Sequence, residues 1–177
     1  MPGAAAKPVA FEPITAMLNA FDMNQQMNEL LLQDIAAEAW HAEPPQPPAP
    51  PGKKAKKQGR DIAAIASHIH NVRLMWLKVL KAPKPPEKLE PSKVTRDQVI
   101  KALRESHAAL RLVLENSMSS DGRIRNFPPD AARFFAYLVA HDAHHRGQIS
   151  QLARFAGHPI SQKTMFGLWE WNRKAGN

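Results

Sequence analysis

The sequence contains no cysteine. That absence excludes disulfide cross-links, thiolate-ligated zinc sites and a cysteine nucleophile. No uninterrupted apolar run approaches the ~18 residues that a membrane span needs. The opening Met1-Pro-Gly-Ala-Ala-Ala-Lys7 is basic but has no apolar stretch, so no secretory signal is expected. Strand-like alternation and internal repeats are missing as well. A soluble cytoplasmic protein is the plain expectation. Acidic residues are the scarcer charge, 16 against 24 basic ones, for a formal net charge of +8. Much of the excess sits in Lys53, Lys54, Lys56, Lys57 and Arg60, then in Lys81, Lys84, Lys88 and Lys93. These interleave with prolines, not with stacking aromatics or a recognition helix. Solvated loop charge is therefore expected, and specific nucleic-acid binding is not.

What is present is helical periodicity. A chain of 177 residues suits one domain with a proper core. That domain is expected over 13–177, after a flexible arm of residues 1–12. The first helix, near 13–41, has Pro13 close to its start and carries Met17, Phe21, Met27, Leu30, Leu31, Ile35 and Trp40. Its apolar spacing is interrupted by Asn24-Gln25-Gln26. Residues 44–58 read as a Pro/Lys-rich linker, polyproline II followed by a basic turn. The second helix, near 59–82, has a core stripe of Ile62, Ile65, Ile69, Val72, Trp76 and Leu80. The third, near 95–117, opens on the capping box Thr95-Arg-Asp-Gln98 and carries Val99, Leu103, Leu110, Val113 and Leu114. Asp121-Gly122 marks a turn. The fourth helix, near 129–156, is closed by Gly157 and Pro159. The tail Met165-Phe-Gly-Leu-Trp169-Glu-Trp171 is too short to stand alone and should lie back on the bundle or on a partner chain. Four amphipathic helices imply an all-α four-helix bundle.

Histidines carry the chemistry. His141 and His145 are four apart and stack on one face of the fourth helix, on its apolar stripe beside Phe134, Leu138 and Ile149. Such a pair fits two readings: core rings satisfied by carbonyls or water, or two imidazoles on one metal ion. His144 falls further round the helix. On the second helix His68 and His70 lie on opposite borders of the core stripe, and periodicity does not choose between them. His68, flanked by Ile65 and Val72, looks the more embedded. His107 has no histidine at i±3 or i±4, so a structural role is the default. His41 and His158 lie at helix ends.

These residues carry a resemblance to the DinB/YfiT-like metalloenzyme family. The matching stretches are Arg60-Asp-Ile-Ala-Ala-Ile-Ala-Ser-His68-Ile with Trp76-Leu77, His141-Asp-Ala-His144-His145-Arg-Gly-Gln-Ile149, and Gly167-Leu-Trp-Glu-Trp171. The resemblance extends from about residue 14 to 171. It implies an up-down-down-up four-helix bundle in which His68, His141 and His145 gather a divalent metal, zinc or nickel, with His144 not a ligand. Three imidazoles leave a coordination position open, as catalytic sites do. A bound water would be acidified there, or a thiol held as thiolate. Asp142 and Gln148 are the candidates to support the ligands, ahead of Arg73 and Arg146. The resemblance further implies a thiol-dependent transferase acting on a small molecule with a low-molecular-weight thiol. The alternatives are a metal-dependent hydrolase, or a non-catalytic stress-associated dimer whose metal is structural or absent. A homodimer is expected from the resemblance and from the apolar tail residues Phe166, Leu168, Trp169 and Trp171.

Overall fold

Caps and stops written into the sequence set the helix ends. The computed structural model describes residues 11–48, 51–52, 59–127 and 130–172. Most of the expected arm over 1–12, and the middle of the 44–58 linker with its four lysines, lie outside the described residues. Six helices and no strand occur among the described residues: α1 (Pro13–Asp34), α2 (Ala37–Trp40), α3 (Ile62–Val79), α4 (Arg96–Met118), α5 (Ala131–Phe155) and α6 (Gln162–Gly167). Asp61, Asp130 and Ser161 each cap a helix by accepting from the backbone N–H three residues on. The Thr95–Gln98 capping box forms in both directions. Gly122 and Gly157 both adopt positive φ, as the turn and the helix stop require.

The first helix is broken, not continuous over 13–41. Ile35 is extended (φ −70°, ψ 123°), and α2 starts afresh at Ala37. The break frees backbone carbonyls, and the Arg96 guanidinium donates to that of Ile35 at 2.7 Å. It also lets Trp40 turn inward, where its indole N–H donates to the Val94 carbonyl at 3.0 Å.

Contacts along the helices fix their directions. Phe21 meets Phe135, and further along both helices Asn28 meets Asp142 and Arg146, so α1 and α5 run the same way. Arg111 pairs with Asp22 and Arg104 with Glu29, so α4 runs against α1. His68 lies beside His145 while Trp76, further on, lies beside Phe134, so α3 runs against α5. The bundle is thus up-down-down-up, with α1 and α3 on one diagonal, each packed on α4 and α5.

Two apolar clusters fill the interior. One gathers Leu31, Leu32, Trp40, Ile65, Ile69, Val99, Leu103 and Ile149; the other gathers Leu18, Phe21, Leu77, Leu110, Leu114, Phe134 and Leu138. Between them every long helix contributes buried polar side chains: Asn24, Gln25 and Asn28 from α1, Arg73 from α3, Ser106 and His107 from α4, Asp142 and Arg146 from α5. The tail does lie back on the bundle, through α6. A Cβ on Gly167 would sit 2.9 Å from Leu30 Cδ2, so a larger residue there would require the Leu30 side chain to shift. Leu168 packs on the first cluster, whereas Phe166, Trp169 and Trp171 remain exposed.

Candidate metal centre

α3 and α5 lie side by side because their apolar stripes face the same core, and this brings His68 against His141 and His145. Ring centroids are 5.3 Å (His68–His141), 4.8 Å (His68–His145) and 4.5 Å (His141–His145) apart. One nitrogen from each ring lies within 4.8 Å of the other two. The Nε2 atoms of His141 and His145 are separated by 3.2 Å. Two nitrogens bound tetrahedrally to one ion at ~2.0–2.1 Å would stand ~3.3 Å apart, so the spacing fits ligands of a shared ion. The Nδ1 atoms of His141 and His145 face protein side chains. His145 Nδ1 donates to Gln148 Oε1 at 2.8 Å, which fixes the tautomer that leaves its Nε2 lone pair free. His141 Nδ1 faces Asp142 Oδ1 at 3.6 Å, and both atoms are buried and otherwise unpartnered.

Protonation is disfavoured at His68 and at His145. Burial, then the charge of Arg60 and of the neighbouring histidines, lowers the His68 pKa to about 4. Burial likewise lowers that of His145, against the opposing hydrogen bond to Gln148. Neutral imidazoles are the form that binds metal. The donor set therefore suits a divalent ion with one position left open.

A family model described as the DinB family matches residues 10–174. The chain belongs to the DinB family. No curated protein matches it.

This DinB bundle also decides between the histidines that the sequence left open. His68 is at the cluster and half-buried; His70, on the opposite border, is fully buried. Embedding was thus the wrong criterion, since His68, the less buried of the two, is the one that lies beside His141 and His145. The His70 ring is clamped between helices, with Nδ1 2.9 Å from the Ala102 carbonyl and Nε2 2.8 Å from the Glu87 carbonyl. His107 is structural too, its Nε2 on Asp22 at 2.8 Å and its ring against Phe21. His144 is exposed, and its Nε2 accepts from the Gln148 amide at 3.0 Å. It meets the centre from outside, through Gln148 and edge-on against the His145 ring, with ring centroids 5.1 Å apart.

Arg73 and Arg146 do not reach the histidines. They belong to the polar layer beneath. Asp142 Oδ2 accepts from Arg73 (2.6 Å), Asn24 (2.7 Å) and Asn28 (2.9 Å). Arg146 donates to the Asn24 and Asn28 carbonyl oxygens at 2.8 and 2.7 Å. Burial raises the Asp142 carboxyl pKa, but Arg73 and the hydrogen bonds outweigh it and hold the group well below the usual carboxylate range. Asn24 and Asn28 went unrecognised in the sequence, where the 24–26 run reads as an interruption of the stripe. Their signal was the i,i+4 spacing itself, in phase with Phe21, Leu31 and Leu32.

A cavity of about 370 Å³ opens beside His145. Arg60, Gln148, Ile65, Leu152 and Phe155 line it, and no carboxylate does among the described residues.

Proposed function

We propose that this DinB-family chain is a divalent-metal-dependent enzyme that transfers a thiol-borne or thiol-accepting group to or from a small molecule. The observation that carries the reading is the convergence of His68, His141 and His145, with nitrogens at coordination spacing and the distal nitrogens of His141 and His145 turned to Asp142 and Gln148. When bound, the metal, zinc or nickel on this donor set, supplies Lewis acidity and a place for a thiolate or a water. The chain does the rest. Gln148 holds the His145 ring in one tautomer, and Asp142, locked by Arg73 and two asparagines, faces the His141 ring. Ile65, Leu152 and Phe155 give the reacting molecule an apolar wall.

Transfer ranks above hydrolysis on one point. The cavity has no carboxylate lining it among the described residues, and Asp142 is committed to the core. Hydrolysis calls for a general base to activate water, whereas a thiol cosubstrate brings its own nucleophile. The third reading is a non-catalytic metal-bearing or metal-free dimer. The exposed Met165, Phe166, Trp169 and Trp171 support a homodimer within either class, and no helix among the described residues is long and apolar enough to cross a membrane. A cytoplasmic location is part of the proposal.

The test is metal content of the purified protein by plasma mass spectrometry, followed by conjugation of thiols to a panel of electrophiles with and without the metal. Metal-dependent conjugation is the expected result. Failure to take up Zn²⁺ or Ni²⁺ in calorimetry would refute the reading. Uptake with metal-dependent ester or amide hydrolysis, and no conjugation, would replace it by the hydrolase. A single monomeric species at tens of micromolar in sedimentation would remove the dimer.

A further inference from the structure

The cavity beside His145 has an uneven distribution of charge. Its floor and one wall are apolar, from Ile65, Leu152 and Phe155. Among the described residues its polar lining is Gln148, Gln151 and one ionised side chain, Arg60. Arg60 precedes Asp61, and the Asp61 carboxylate is occupied elsewhere: Oδ1 accepts the Ala64 N–H at 2.7 Å and Oδ2 faces His41 Nδ1 at 3.1 Å. The histidine cluster adds no negative charge, since all three rings are uncharged donors when they bind an ion. The nearest buried carboxylate, Asp142, is held by one arginine with a second close by, so the layer beneath the cluster is not anionic either. A ligand in this cavity thus meets positive charge at Arg60, with an apolar surface between that side chain and the histidines.

We propose that the cavity beside His145 takes a small carboxylate-bearing molecule, whose charged end is held by Arg60 while its apolar body lies on Ile65, Leu152 and Phe155. The reacting end then faces the histidines. A cavity of about 370 Å³ is of the size that takes a small molecule. Arginine suits the role because its planar fork meets a carboxylate through two parallel hydrogen bonds. The side chain is partly solvated, so its contribution is of the size of an exposed charge pair and not of a buried one. The inference deepens the metalloenzyme reading by naming the substrate class, and it rests on that reading only for which end of the molecule reacts.

The test uses the full chain loaded with Co²⁺, whose thiolate charge-transfer absorption reports thiol binding. A homologous series of ω-mercapto acids is compared with the mercapto alcohols and aminothiols of equal length, in the wild type and in Arg60→Leu. The expected order is acid over alcohol over amine, with the best acid about fivefold tighter than its alcohol. In Arg60→Leu the acid should lose that margin, and Arg60→Lys should keep part of it. An acid preference unchanged in Arg60→Leu, or no preference in the wild type, overturns the proposal while leaving the metal centre standing. If Co²⁺ does not bind, the metal reading fails instead. The charge preference is then read by NMR titration of the metal-free protein with phenylacetate against phenylacetamide. Equal binding of those two, or no effect of Arg60→Leu, overturns it there as well.

Discussion

Replacing Asp142 by Asn changes two atoms' worth of chemistry and no volume, at the point where α1, α3 and α5 share one carboxylate. Oδ2 accepts three hydrogen bonds of 2.6–2.9 Å, from Arg73, Asn24 and Asn28, and both Asp142 and Arg73 are fully buried. The carboxamide can still accept through its oxygen. The negative charge is gone, however, and Arg73 and Arg146 are left as two buried cations with no counter-charge in the layer. Breaking one side of a buried pair costs about 3–5 kcal/mol, most of it the desolvation of the charge left behind. Set against the ~5–15 kcal/mol that stabilises a domain, the variant should fold but sit close to its limit. With a urea slope of about 2 kcal/mol/M the midpoint should drop by about 2 M. The measurement is urea unfolding of the metal-free protein at pH 7.5, followed by far-UV circular dichroism, so that metal binding does not enter. Pairing the change with Arg73→Met in a double-mutant cycle should return a coupling above about 1 kcal/mol. A variant within about 1 kcal/mol of the wild type, or a cycle with no coupling, would show that the layer is not held together by this carboxylate. Asp142→Asn should also weaken metal binding about 10–100-fold, since the His141 Nδ1–H would then face an amide group.

His145→Ala should abolish binding of Zn²⁺ or Ni²⁺ in calorimetry while leaving the helical spectrum intact; retention of wild-type affinity would remove His145 from the ligand set. His144→Ala should leave affinity within about tenfold, because that ring only flanks the centre, through Gln148 and the edge of His145, and a complete loss would mean that the two rings had been assigned the wrong way round. On acidification the metal-free protein should lose stability. Burial lowers the pKa of His68, His70, His107 and His145 in the folded chain, so below about pH 6.5 the unfolded chain takes up protons that the folded one does not. Asp142 acts in the same direction, its contribution being complete above about pH 4 and lost as the pH falls towards its depressed native value. A urea midpoint higher at pH 5.5 than at 7.5 would contradict this. Thr95→Ala should cost about 1 kcal/mol, the usual loss for an N-cap acceptor, in the same unfolding assay; no change would mean that the capping box contributes nothing.

The parts of this architecture that were legible in the sequence are those governed by local periodicity and end chemistry. The apolar stripes of Ile62, Ile65 and Ile69 or of Phe134, Leu138 and Ile149, and the caps at Thr95 and Gly157, each follow from spacing and backbone preference alone. His141 and His145 are neighbours on any helix, so half of the centre was fixed before α3 was placed. The break at Ile35 was not legible, because it depends on Arg96, 61 residues away in the chain, reaching the freed carbonyl. Nor was the choice of His68 on grounds of embedding. The ring facing the centre is half-open because the site has a mouth, and the more deeply buried His70 is satisfied by carbonyls from α4 and the loop at Glu87. Most instructive is the 24–28 stretch. Polar residues on an apolar stripe read as a defect until Arg73, Asp142 and Arg146 are known to face them from two other helices.

That polar layer separates the bundle into two halves that can vary independently. The end holding Leu18, Phe21, Leu110 and Phe134 touches no ligand, and the end holding Leu31, Val99 and Ile149 carries the centre's surroundings. The hydrogen bonds between them act as a key in a keyway. Sliding α5 by one turn, about 5.4 Å, would set Leu138 opposite Arg73 or, in the other direction, Arg146, leaving the guanidinium facing hydrocarbon or a second cation. Packing alone tolerates such slippage between similar leucine-rich stripes; a keyed carboxylate does not. Hydrophobic substitutions spread over the lower half should therefore change how strongly the chain folds without changing how far His68 stands from His141 and His145. The alignment of the three rings is decided by residues that stand beside them in the polar layer, Asp142 next to His141 and Arg146 next to His145.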